Sequence, residues 1–88
     1  MLETFNRRSD ILFRRLDDEA ILYDPETTTV HVLNPTSELI WSCCDGHHNA
    51  DEIASEILKR YQAGKGQVAH DVEEALNRFK GLRLLMKS

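Results

Sequence analysis

The sequence predicts an α+β domain: three short strands forming an antiparallel sheet, followed by three helices. Three observations carry this. Residues 11–33 are rich in apolar and β-branched side chains and are cut twice by turn clusters. From Asn34 onward, apolar residues recur at helical spacing, and capping residues punctuate the helical stretches. No internal repeat, low-complexity run or linker separates the two halves.

The strands come first. In "ILFRRL" (11–16), Ile11, Phe13 and Arg15 fall on one side and Leu12, Arg14 and Leu16 on the other. "DDE" (17–19) is a turn, and "AILYD" (20–24) is a second apolar strand, so the pair reads as a hairpin. "DPET" (24–27) is a turn with Pro25 at the favoured second position. "TTTVHVL" (27–33) reads as the third strand. Residues 1–9, polar and carrying Arg7 and Arg8, read as a flexible arm, which leaves 10–85 as the folded domain.

The helices follow. Asn34 is an N-cap and Pro35 takes the first helical position. Leu39, Ile40, Cys43 and Cys44 cluster on one side with Trp41 at the margin, and Gly46 is the stop. A second helix opens at Asn49, with Glu52 completing a capping-box pattern. Its apolar stripe is Ile53, Ile57 and Leu58, adjoined by Ala54 and Tyr61, and "AGKG" (63–66) breaks it. The third helix runs from Val68 to Lys80 on Val68, Val72, Ala75, Leu76 and Phe79, and Gly81 ends it. "LRLL" (82–85) packs or trails.

An 88-residue chain holds one small core. It hides only about 60–65% of the surface its unfolded form exposes. The formal charge of −4 fits nucleic acid poorly, because phosphates demand a basic face. No apolar run is long enough for a membrane span, and the start lacks a signal segment. These absences point to a cytoplasmic setting, where the two cysteines stay reduced.

The stretch "WSCCDGHHNADEI" (41–53) gathers two cysteines, two histidines and acids. Zinc needs four converging N or S ligands, and adjacent Cys and adjacent His are not the spacings such sites use. A bond between Cys43 and Cys44 is also disfavoured. Neighbouring Cα atoms lie about 3.8 Å apart, below the roughly 4.4 Å that disulfides need. The simpler account makes both thiols small apolar side chains, Asp45-Gly46 a turn, and His47 and His48 solvated loop residues. His31 faces the opposite side of its strand from Val30 and Val32, and His70 sits exposed near the start of the third helix. There is no nucleophile-base order, phosphate loop or paired-carboxylate motif. The sequence therefore predicts no catalytic residue, no metal and no cofactor.

The run "VLNPTSELIWSCCDGHHNADEIASEI" resembles the PqqD-like family. The matching positions are Leu33, Asn34, Leu39, Ile40, Trp41, Asp45, Gly46, Glu52 and Ile53, and "DVEEALNRFKGL" resembles the family's last helix. The resemblance implies a winged helix-turn-helix-like fold and the role of a RiPP recognition element. Such a domain binds the leader segment of a ribosomally made precursor peptide and presents it to a maturation enzyme. That enzyme is of radical-SAM, lasso-peptide or cyclodehydratase type. The family's leader adds as a strand beside the third strand, in a groove walled by the third helix.

Carried onto this chain, the resemblance implies a docking strand of Thr29, Val30, His31, Val32 and Leu33. It implies a wall of Val72, Ala75, Leu76, Arg78 and Phe79. Either strand face can meet the groove, and core packing is the competing use of each apolar residue. Asp71, Glu74 and Arg78 are placed to meet leader charges. An open sheet edge suits this role, because unpaired N–H and C=O groups accept an extended chain, and "TTTVHV" has no proline to remove a donor. Two rivals remain. Winged-helix DNA binding is opposed by Asp71, Glu73 and Glu74 on the third helix. Homodimerisation through the same edge or the arm is the stronger competitor.

Overall fold

The computed structural model describes residues 3–86. Its elements are β1 (Thr4–Asn6), β2 (Leu12–Leu16), β3 (Glu19–Asp24), β4 (Thr29–Leu33), α1 (Pro35–Ser42), β5 (Asp45–Asn49), α2 (Ala50–Arg60) and α3 (Lys65–Gly81). The antiparallel sheet β2-β3-β4 and the three helices are those the sequence predicts, with β4 as the predicted third strand. A second, two-stranded sheet pairs β1 with β5.

That second sheet corrects two expectations. Residues 4–8 are not a loose arm. Phe5 is buried in the core, and Arg7 donates from Nη1 to the carbonyls of Trp41 and Ser42, each at 3.0 Å. Those carbonyls belong to the last turn of α1, where helical partners run out. Residues 1 and 2 of the predicted arm lie outside the described range. Nor is 45–48 a simple loop. α1 stops at Ser42 with Cys43 as its C-cap, and the chain then extends into β5. Gly46 has φ +88°, a backbone conformation that favours glycine, while a Cβ there would meet Asn6 Cγ at an ordinary contact distance of 3.4 Å. His48 Nδ1 lies 2.9 Å from Asp45 Oδ1, and that hydrogen bond raises the histidine's pKa.

The caps read from sequence are present. Asn34 Oδ1 accepts from Ser37 N at 2.8 Å. Asn49 and Glu52 form the reciprocal capping box, each bond 2.9 Å. Strand three starts later than expected. Thr28 adopts φ +56°, costly for a β-branched residue, and closes the turn that Asp24 opens by accepting from Glu26 N. Lys65 rather than Val68 begins α3.

The core joins the inner sheet face to the helices through Ala20, Leu22, Leu33, Ile40, Ile53, Ile57, Val72 and Phe79. Trp41 meets Phe79 edge-to-face, with ring centroids 5.2 Å apart. The "LRLL" segment packs rather than trails: Leu84 is fully buried and its N–H donates to Phe79 O. Asp24 is the one buried charged residue among those described. Arg8 grips it with two hydrogen bonds of 3.0 Å, while also binding Asp10 and the Arg83 carbonyl. One residue of the supposed arm thus ties β3 to the C-terminal segment.

Candidate functional site

Among the described residues, the sheet order β2-β3-β4 leaves one side of β4 without a strand. The five residues of that strand include no Asp, Glu, Lys, Arg or Pro. Register resolves which face is which. Phe13, Leu22 and His31 stand in one row, and Arg15, Ala20 and Leu33 in the next. Ala20, Leu22 and Leu33 are fully buried, so these rows face the helices. The alternate rows, Leu12–Tyr23–Val30 and Arg14–Ile21–Val32, face outward. Val30 and Val32 are accordingly 56% and 50% exposed. The strand face toward α3 is that of Thr29, His31 and Leu33, not that of the two valines.

The open edge has a neighbour. Arg78 Nη2, on α3, donates to the Val32 carbonyl at 3.4 Å. In an antiparallel ladder, the N–H and C=O of one residue point to the same side. With its carbonyl turned to Arg78, Val32 directs its N–H to the open side as well, and so does Val30 two residues earlier. Next to this edge lies a cleft of about 460 Å³. Asn34 and Ser37 border it from the start of α1, Ile40 forms part of its lining, and Asp71, Glu74, Ala75 and Arg78 line it from α3. These four α3 residues share a helical face at i, i+3, i+4 and i+7 spacing. Gln67 Nε2 donates to Asp71 at 2.9 Å, and His70 Nε2 lies 3.2 Å from Glu74. A larger cavity, about 760 Å³, lies between β1, the end of α3 and the C-terminal segment; neither cavity includes a residue of β4, and the smaller one adjoins that strand through Asn34 and Arg78.

The predicted site residues therefore divide. Thr29, Val30 and Val32 are exposed on the edge strand and His31 is half-buried. Ala75 and Arg78 line the cleft. Leu33, Val72, Leu76 and Phe79 are core residues, each 3% exposed or less, so their side chains support the groove from beneath rather than line it. Sequence reasoning missed the α1 side of the cleft, Thr36, Ser37 and Ile40. Ile40 was legible only as a core residue, and no periodicity ties α1 to α3.

The cysteines lie apart from this edge. Both are buried as free thiols, and Cys44 Sγ donates to Ile40 O at 3.3 Å. Burial pushes the Cys44 thiol up to about 12 and raises Cys43 as well. Among the described residues, no group of three or more His, Cys, Asp or Glu side chains is placed to hold a metal ion. No described helix is long and apolar enough to cross a membrane.

The fold and the cleft define a class: small winged-helix-like α+β domains that leave one sheet edge unpaired beside the last helix. The chain belongs to the family described as coenzyme PQQ synthesis protein D (PqqD), whose sequence model matches residues 19–85. Two solved structures share its fold. One is described as "TbiB1 in Complex with the TbiA(beta) Leader Peptide". It is 23% identical, with TM-score 0.81, over 94% of this chain and 96% of that one. The other, "Lasso peptide synthetase B1 complexed with the leader peptide", is 19% identical, with TM-score 0.82, over 97% and 100%. No curated protein matches the chain.

Proposed function

We propose that this chain is a non-catalytic adaptor. It takes the leader segment of a ribosomally made precursor peptide as an added strand on β4 and presents it to a maturation enzyme. The observation that carries this reading is the β4 edge: unpaired, free of charge and proline, and bordered by the α3 cleft. Family membership supports it, as do two structural neighbours whose descriptions place each with a leader peptide. Backbone pairing to Val30 and Val32 supplies affinity. The incoming side chains that point inward, across from Thr29, His31 and Leu33, meet the α3 cleft and supply selectivity.

The test is a titration of the isotope-labelled protein with leader peptides from precursor genes that neighbour its own. Amide shifts concentrated in residues 29–33 and 71–78, with β2 unmoved, are expected. Saturable binding that shifts other surfaces and leaves β4 untouched overturns the reading.

One observation favours a second use. The outward rows leave Leu12, Val30 and Val32 half or more exposed on one sheet face, an apolar face that a second copy can cover. Apparent mass that rises with concentration in the absence of peptide supports dimerisation; a mass that stays monomeric supports the adaptor.

A further inference from the structure

We infer that Arg78 selects for an acidic residue in the incoming chain and thereby sets its register on β4. This rests on the strand-addition reading and adds a residue-level rule to it.

In the free protein the guanidinium occupies the Val32 carbonyl, at 3.4 Å. An added strand needs that acceptor for one of its own N–H groups. Binding therefore displaces Arg78 and leaves an exposed guanidinium beside the incoming chain. Within the chain, the two carboxylates on the same face of α3 each have another neighbour. Asp71 accepts from Gln67 and Glu74 faces His70. Among the described residues, Arg78 forms no ion pair, as is true of most arginines of the chain. A carboxylate on the peptide offers it a charge-assisted bond, of a geometry that a guanidinium fork matches well. The position follows from the pleat. Side chains of the added strand that point toward α3 lie across from His31 or Leu33, so the acid belongs there rather than across from Val32.

The probe is a phage-displayed library of random twelve-residue peptides, selected separately on the wild-type protein, Arg78→Gln and Arg78→Lys. Amide shifts on residues 29–33 then establish whether the enriched peptides add to the edge. Expected from the wild type is enrichment of Glu or Asp at one fixed position, with replacement by Gln costing about three- to tenfold in affinity. Arg78→Gln should abolish that preference, and Arg78→Lys should keep a weaker one. Without peptide, Arg78→Gln should also shift the Val32 carbonyl carbon resonance. Edge-binding peptides that show no acid preference, or one unchanged in Arg78→Gln, overturn the inference and leave strand addition standing. Enriched peptides that bind away from β4 overturn both.

Discussion

The sheet has two outer edges, and they are built differently. β2 is exposed along its whole length and carries Arg14 and Arg15 among its five residues. Charges on an edge strand discourage further pairing, and Arg15 is also drawn to Glu38 on α1. β4 carries no formal charge, and α3 runs beside it with Arg78 at its open carbonyl. The same sheet thus has one edge strand bearing two cations and one bearing none. On the proposed reading, an unpaired strand stays available for recognition when its neighbour is a displaceable side chain rather than charges along its own length.

The largest expected effect removes what both edges share. Leu22 is fully buried at the centre of the middle strand. Leu22→Ala should cost about 2–5 kcal/mol of stability, read as a lower urea midpoint. Peptide affinity that survives loss of the sheet would break the comparison outright.

Next come matched proline variants. On β4 the open-side N–H belongs to Val32. By the alternation of the ladder, Ile21 then points to β2, so the open-side N–H groups of that edge belong to Phe13 and Arg15. Val32→Pro and Phe13→Pro each remove one outward donor and spare the internal ladder. Val32→Pro should weaken leader binding about 2- to 10-fold, the worth of one hydrogen bond, and Phe13→Pro should leave it unchanged. Circular dichroism first confirms that both variants fold. Equal losses would mean that the two edges are not distinct.

A pH titration sharpens the contrast at the β3–β4 turn. The hydrogen bond from Arg8 holds the Asp24 carboxyl below its ordinary range, against the opposing effect of burial. A depressed carboxylate contributes stability that is complete above the unfolded value of about 4 and is lost as pH falls through the lower folded value. Thermal midpoints should therefore drop in acid, and Asp24→Asn should lower the neutral-pH midpoint while flattening the acid limb. Amide exchange should show residues 24–29 opening before β2 does. Simultaneous opening would tie both edges to the same anchor.

The smallest effect is at the cysteines, which lie on neither edge strand. With both thiols buried and their pKa values raised, alkylation by iodoacetamide at neutral pH should be slow in the folded protein and fast in urea. Cys43→Ser should change peptide affinity less than twofold. A larger change would connect the end of α1 to the docking edge.

Local chemistry made the element kinds and their order legible. β-branched runs, the Asn34 and Asn49 caps and the stripe of α3 act within a few residues of sequence, where spacing and capping preferences apply. The family resemblance rested on such local strings and pointed to β4 and α3. Tertiary structure alone decided three matters. It turned Val30 and Val32 outward and His31 inward, because alternation names two faces without naming the buried one. It recruited residues 4–8 into the fold through partners as distant as Asp45, Arg83 and Leu85, which no local pattern announces. And it set Arg78 against Val32, 46 positions apart, a contact that exists only when helix and strand are packed together.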